Sequence, residues 1–157
     1  MIVVSLTRTG PDTAFTGTTR SYPWLNDFES GSLGLNWTES HPDSSYTGVS
    51  DETSRSGSYS MYTSGGPSSV FSWPTDLGGV NRSKRLEVRC WIRRGDTSFS
   101  EDPDRDEDLA VRYMNRTGDW KQLDGFEGDG EPGQIYTPYY TLPRDALHDD
   151  FRLSFNQ

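Results

Sequence analysis

Leu86-Glu-Val-Arg-Cys-Trp-Ile-Arg93 sets Leu86, Val88, Cys90 and Ile92 in strict alternation with Glu87, Arg89, Trp91 and Arg93. Successive side chains of an extended strand point to opposite faces, so a period of two predicts a strand with one face on a core and one face wet. The wet face would carry Trp91 between Arg89 and Arg93, in a chain of net charge -9. A flat aromatic flanked by guanidinium groups suits a sugar or a partner surface better than plain solvent.

Outward from this strand the same grammar repeats. Short apolar or aromatic runs near 26–29, 46–49, 58–63, 70–73, 109–114, 120–125, 136–142 and 151–155 are separated by turn signals such as Ser64-Gly-Gly-Pro67 and Gly128-Asp-Gly-Glu-Pro-Gly133. No helical apolar period of useful length occurs. Many short strands with irregular loops predict an all-β fold, a β-sandwich of two sheets. Hydrophobic residues make up only 31% of the 157, but five Trp, eight Tyr and seven Phe can build a core from few positions. That length is enough for one domain with a real core.

The Thr-, Gly- and Ser-rich stretch 7–21 reads as a linker, so residues 1–22 are expected to form an N-terminal arm and 23–157 the sandwich. Ile2-Val-Val-Ser-Leu6 is a candidate strand in that arm. It is far too short for a signal-peptide apolar region, so either a leader has been removed or the protein leaves the cell without one. No transmembrane run is present.

The acidic balance opposes nucleic acid and anionic membranes as partners, since phosphates would be repelled. Lys84 and Lys121 are the only lysines, and the sequence pI is near 4.6. This composition resembles that of proteins from high-salt organisms, where salt screens surface self-repulsion; the alternative is an ordinary acidic secreted protein. Cys90 is the single cysteine, which excludes an intrachain disulfide and places a buried small hydrophobe on the core face.

Three segments carry a family resemblance over roughly residues 26–157. Asp27-Phe-Glu-Ser-Gly31 with Trp37, then Ser56-Gly-Ser-Tyr-Ser-Met-Tyr-Thr63, then Glu107-Asp-Leu-Ala-Val-Arg-Tyr113 with Gly118-Asp-Trp-Lys-Gln-Leu123 resemble, in order and spacing, MAM-like jelly rolls of the concanavalin A-like lectin/glucanase group. The resemblance implies a jelly-roll β-sandwich of two antiparallel sheets, a fold of extracellular type. The chain departs from the pattern after 151–155, where such domains continue into a closing strand. Ile2, Val3, Val4 and Leu6 are the candidate substitute: folded back onto their own sheet, inserted into a neighbouring subunit as an assembly strand, or left as a loosely docked arm.

Several constellations bear on chemistry. Asp102, Asp104, Asp106 and Asp108 place hard oxygen ligands at alternate positions before a strand, a candidate calcium site or else a solvated acidic loop. Glu127, Asp129 and Glu131 have the spacing of a glucanase catalytic strand, but the intervening glycines and Pro132 point to an acidic loop. Asn36, Asn81 and Asn115 begin glycosylation sequons, and Asn115 is expected at an accessible hairpin tip. His41 and His148 lack a nucleophile elbow, and no zinc spacing, P-loop or dinucleotide fingerprint occurs. Outward-facing Arg112 and Arg152 are expected to share a ligand-binding face with Arg89, Trp91 and Arg93, suited to an acidic sugar or a carboxylate-rich partner.

The sequence therefore predicts a non-enzymatic protein that works by surface contact. The leading expectation is a virion-surface or extracellular component, homo-oligomeric through its arm and in contact with other virion proteins and cell-surface glycan. The alternatives are a secreted carbohydrate-binding module of a longer protein and, less favoured, a glucanase-like hydrolase.

Overall fold

The computed structural model describes residues 2–8, 25–34, 37–39, 47–64, 69–80, 85–96 and 103–157, with residues 2–8 and 25 described by their backbone only. Among the described residues twelve strands form two antiparallel sheets, and a 3₁₀ turn lies at Arg144–Ala146. The strands are β1 (Ile2–Arg8), β2 (Leu25–Asn26), β3 (Trp37–Glu39), β4 (Thr47–Ser50), β5 (Ser60–Thr63), β6 (Ser69–Ser72), β7 (Leu86–Arg93), β8 (Leu109–Met114), β9 (Trp120–Phe126), β10 (Ile135–Tyr136), β11 (Tyr139–Thr141) and β12 (Leu153–Asn156).

One sheet has seven strands in the order β10-β7-β1-β5-β4, with β11 also on β7 and β2 also on β1; the other has five, in the order β3-β6-β12-β8-β9. Their inner faces share one core, made by Met61, Val88, Cys90 and Ile92 from the first sheet and Trp37, Val70, Val111, Tyr113, Leu153 and Phe155 from the second. The alternation read from 86–93 thus places its apolar set inside. The sandwich closes along one side where β9 meets β10 and β11. There Phe126 and Tyr136 stack with ring centroids 4.8 Å apart, and the Tyr140 hydroxyl donates to Asp124 at 3.0 Å.

The backbone of Ile2–Arg8 pairs antiparallel with β7 from Ile2 opposite Ile92 to Arg8 opposite Leu86, and with β5 and β2 on its other side. It therefore fills an interior position of the seven-stranded sheet.

Four local details differ from the sequence reading. The strand expected at 26–29 stops at Asn26, because Phe28 takes a left-handed backbone (φ 61°) and its carbonyl accepts from Gly31 N–H at 2.9 Å, closing a turn. The stretch 136–142 breaks into β10 and β11 at Pro138, which has no N–H for a ladder; its carbonyl still accepts from Cys90 at 3.0 Å. Phe151 makes only an isolated bridge to Thr75, so the last strand begins at Leu153. The short β3 had no alternation long enough to read.

The first two family-like segments interlock. Phe28 is buried beside Trp37 at 6.3 Å between ring centroids. The next residue, Glu29, accepts from the N–H groups of Ser58 and Tyr59 at 3.0 Å. Gly57 takes φ 70°, and a Cβ there would run into the Glu29 carboxylate.

Candidate functional site

The outward-facing residues of β7 do not form the expected open face. Trp91 is only 8% exposed and stands outside the shared core, which corrects the reading of it as wet. The neighbouring Arg93 is tied to the β4–β5 connection. Thr53 accepts from Arg93 Nη1 at 3.0 Å through its hydroxyl and from Ser60 Oγ at 2.7 Å through its carbonyl. Ser60 and Arg93 lie on strands flanking β1 and alternate with the inward Met61 and Ile92, so this connection is tied to the outer side of the sheet. Arg93 also pairs with Asp96 at 3.1 Å, and Arg89 with Glu87 at 3.1 Å.

Nor do the five candidate binding residues share a face. Arg89, Trp91 and Arg93 belong to the seven-stranded sheet, whereas Arg112 lies on β8 and Arg152 just before β12, in the five-stranded sheet. The outer faces of the two sheets point in opposite directions. Strand alternation fixed which residues turn away from the core, but not which sheet each strand joins.

Arg112 and Arg152 do keep company with aromatics that the sequence reading passed over. On the five-stranded sheet Val70, Val111, Tyr113, Leu153 and Phe155 point inward. The alternate positions Phe71, Trp73, Arg112, Met114, Trp120 and Gln122 therefore point outward. Trp73 is 52% exposed and Trp120 37% exposed. Phe71 and Trp120 contact each other with ring centroids 6.3 Å apart. Ser154 pairs with Phe71 on one side and Arg112 on the other, and is buried between them. Arg152 pairs with Asp150 at 3.2 Å. Arg112 makes no ion pair or hydrogen bond among the described residues. The missed signal was alternation in 69–73, which turns Phe71 and Trp73 to the side opposite Val70 and Ser72.

Two concavities adjoin this region. A cleft of about 60 Å³ near Arg94, Glu107, Glu127 and Tyr136 holds a few waters at most. A second, of about 480 Å³, opens on the outer face and is lined by Asp108, Ala110, Arg112, Gln122, Gly125 and Glu127 among others. That size falls within the range of small-ligand sites.

The remaining candidates are placed as follows. Asp102, Asn36, Asn81 and His41 lie outside the described residues, as do the side chains of Ile2, Val3, Val4 and Leu6. Asp104 donates its N–H to Glu107 at 2.9 Å, Asp106 is exposed, and Asp108 accepts from Gly128 N–H at 2.8 Å. Among the described residues no group of three or more His, Cys, Asp or Glu is gathered to hold a metal. Glu127 follows β9, and Asp129 and Glu131 sit in the turn leading to β10, not along one strand face. His148 is buried; its Nε2 lies 3.0 Å from the Met114 carbonyl and its Nδ1 accepts from Asp150 N–H at 3.2 Å.

Asn115 does sit at the β8–β9 hairpin turn, but it is only 8% exposed, which corrects the expectation of an accessible tip. Its Oδ1 accepts from the Thr117 N–H, the Thr117 hydroxyl and the Asp119 N–H at 3.0, 2.9 and 2.8 Å, and its Nδ2 donates to Asp119 at 3.3 Å. Hydrogen bonds from the Thr117 hydroxyl and then the Asn115 amide hold the Asp119 carboxyl below the usual aspartate range. Burial raises the Cys90 thiol to about 12. Burial first, then the hydrogen bonds to Asp145 and Asp124 respectively, raises Tyr113 and Tyr140.

Comparison of the chain with protein-family models, curated proteins and solved structures finds no match.

Proposed function

We propose that this chain is a non-enzymatic β-sandwich that acts by surface contact, with the outer face of the five-stranded sheet meeting a cell-surface glycan. The observation that carries this reading is the contact of Phe71 with Trp120 on a face that also presents the exposed Trp73 and a half-buried Arg112 with no partner among the described residues. Exposed tryptophans offer flat apolar faces to sugar C–H groups, while a guanidinium supplies several donors to hydroxyls. The setting attached to this reading is a virion surface or another extracellular surface in high salt, on the acidic, lysine-poor composition. Affinity electrophoresis through gels containing polysaccharides tests it. Retardation of the wild type that Trp73→Ala and Trp120→Ala each reduce is the expected result. Free migration in every glycan gel overturns the reading.

A second reading, assembly through the first strand, is favoured by the position of β1 between β7 and the β5/β2 pair. An interior strand paired on both sides is one that a second copy can donate equally well. The mass in solution at high salt, with and without residues 1–22, tests it. Oligomers that fall to monomers on deletion support it; a wild type that is monomeric at all concentrations rejects it.

A further inference from the structure

We infer that the depression over Ala110 and Gly125 is a seat for one uncharged sugar ring, an inference that rests on the glycan reading of this face. Its floor is small: Ala110 and Gly125 stand opposite each other across β8 and β9. Two residues further along β8, Arg112 stands opposite Gln122, after an irregularity in register between Val111 and Arg112. Bulges of this kind re-aim side chains at the rims of sites. Asp108 and Glu127 line the same depression, and the Gly128 N–H at 2.8 Å anchors one oxygen of Asp108.

The seat therefore has a donor group, Arg112 with the Gln122 amide, and an acceptor group, Asp108 with Glu127. A sugar hydroxyl both donates and accepts, so a ring over Ala110 and Gly125 can serve both groups at once. A carboxylated or sulfated ring would be drawn to one guanidinium but repelled by two carboxylates, and an ammonium group would meet Arg112. The uncharged ring is the occupant to which this charge pattern is complementary. Continuity fixes its neighbour: Arg112 shares a cross-strand row with Ser154 and Phe71, so a glycan seated here continues onto the Phe71–Trp120 platform.

The test titrates the protein with neutral polysaccharides (dextran, laminarin, mannan) and with acidic ones (polygalacturonate, heparin) at fixed ionic strength. Ala110→Leu fills the floor from the solvent side, and circular dichroism melting checks that the fold is kept. The wild type is expected to bind a neutral polymer in preference to both acidic ones, and Ala110→Leu and Arg112→Gln each to weaken that binding at least fivefold. Preference for an acidic polymer, or undiminished neutral binding by Ala110→Leu, overturns the seat. If neutral binding is lost only in Trp120→Ala, the glycan reading stands and the seat alone falls. If the wild type binds none of the five, both fall.

Discussion

Phe71 and Trp120 meet with ring centroids 6.3 Å apart although β12 and β8 lie between the strands that carry them. Three strand spacings separate β6 from β9, roughly 14 Å of backbone. The two rings close that gap by leaning toward each other over the outer face, and the small, buried Ser154 lies in the row they span. Large aromatics do not lean across a solvated sheet face in most proteins, where polar side chains stand there instead. The pair is the reason this face, and not that of β7, is the candidate site.

Removing one platform at a time should separate binding from folding. Trp73→Ala and Trp120→Ala are each expected to lose about 1 kcal/mol of glycan affinity, roughly fivefold. Their melting temperatures should stay close to wild type, because both rings are substantially exposed. Isothermal titration alongside thermal denaturation reads both quantities.

The interlock between Glu29 and the segment at Gly57 makes a stability prediction of the opposite kind. Glu29→Ala removes the acceptor of the Ser58 and Tyr59 N–H groups and is expected to cost about 1 kcal/mol. Gly57→Ala combines a left-handed backbone with a collision against the Glu29 carboxylate and should cost more, roughly 2 kcal/mol. Urea denaturation checks the order. Gly57→Ala in a Glu29→Ala background should cost less than it does alone, because the collision has gone while the backbone penalty remains.

Asp119 predicts an acid dependence. Its carboxyl is held below the ordinary value of 3.8 by the Thr117 hydroxyl and the Asn115 amide, so the folded state prefers the ionised form. The stability this contributes is present above that ordinary value and is lost as pH falls through the lower folded one. Wild type and Asp119→Asn should therefore differ in melting temperature at neutral pH and converge in strong acid.

Cys90 predicts the alkaline counterpart. Burial holds its thiol neutral up to about 12 against an ordinary 9.0, so its contribution to stability is complete below pH 9.0 and is lost as pH rises toward 12. The thiolate is the reactive form, so the native protein should resist a thiol reagent at pH 8 and react fully once unfolded in urea. Rapid labelling of the native protein would contradict this placement of Cys90.

The sequence alone determined the all-β class, most strand positions and the inward set of β7, because a period of two is local: each residue's side relative to its neighbours follows from backbone geometry. It also placed the 109–126 hairpin and its turn. Which strands become sheet neighbours is not local, and only the tertiary structure decided it. Arg89 and Arg112 both alternate away from apolar neighbours, yet one belongs to the seven-stranded sheet and the other to the five-stranded one. Trp91 points outward as alternation requires and is buried all the same, which alternation does not report. Alternation also turns Phe71 outward, but its meeting with Trp120 depends on β12 and β8 pairing between them, through contacts distant in the chain that no periodicity records.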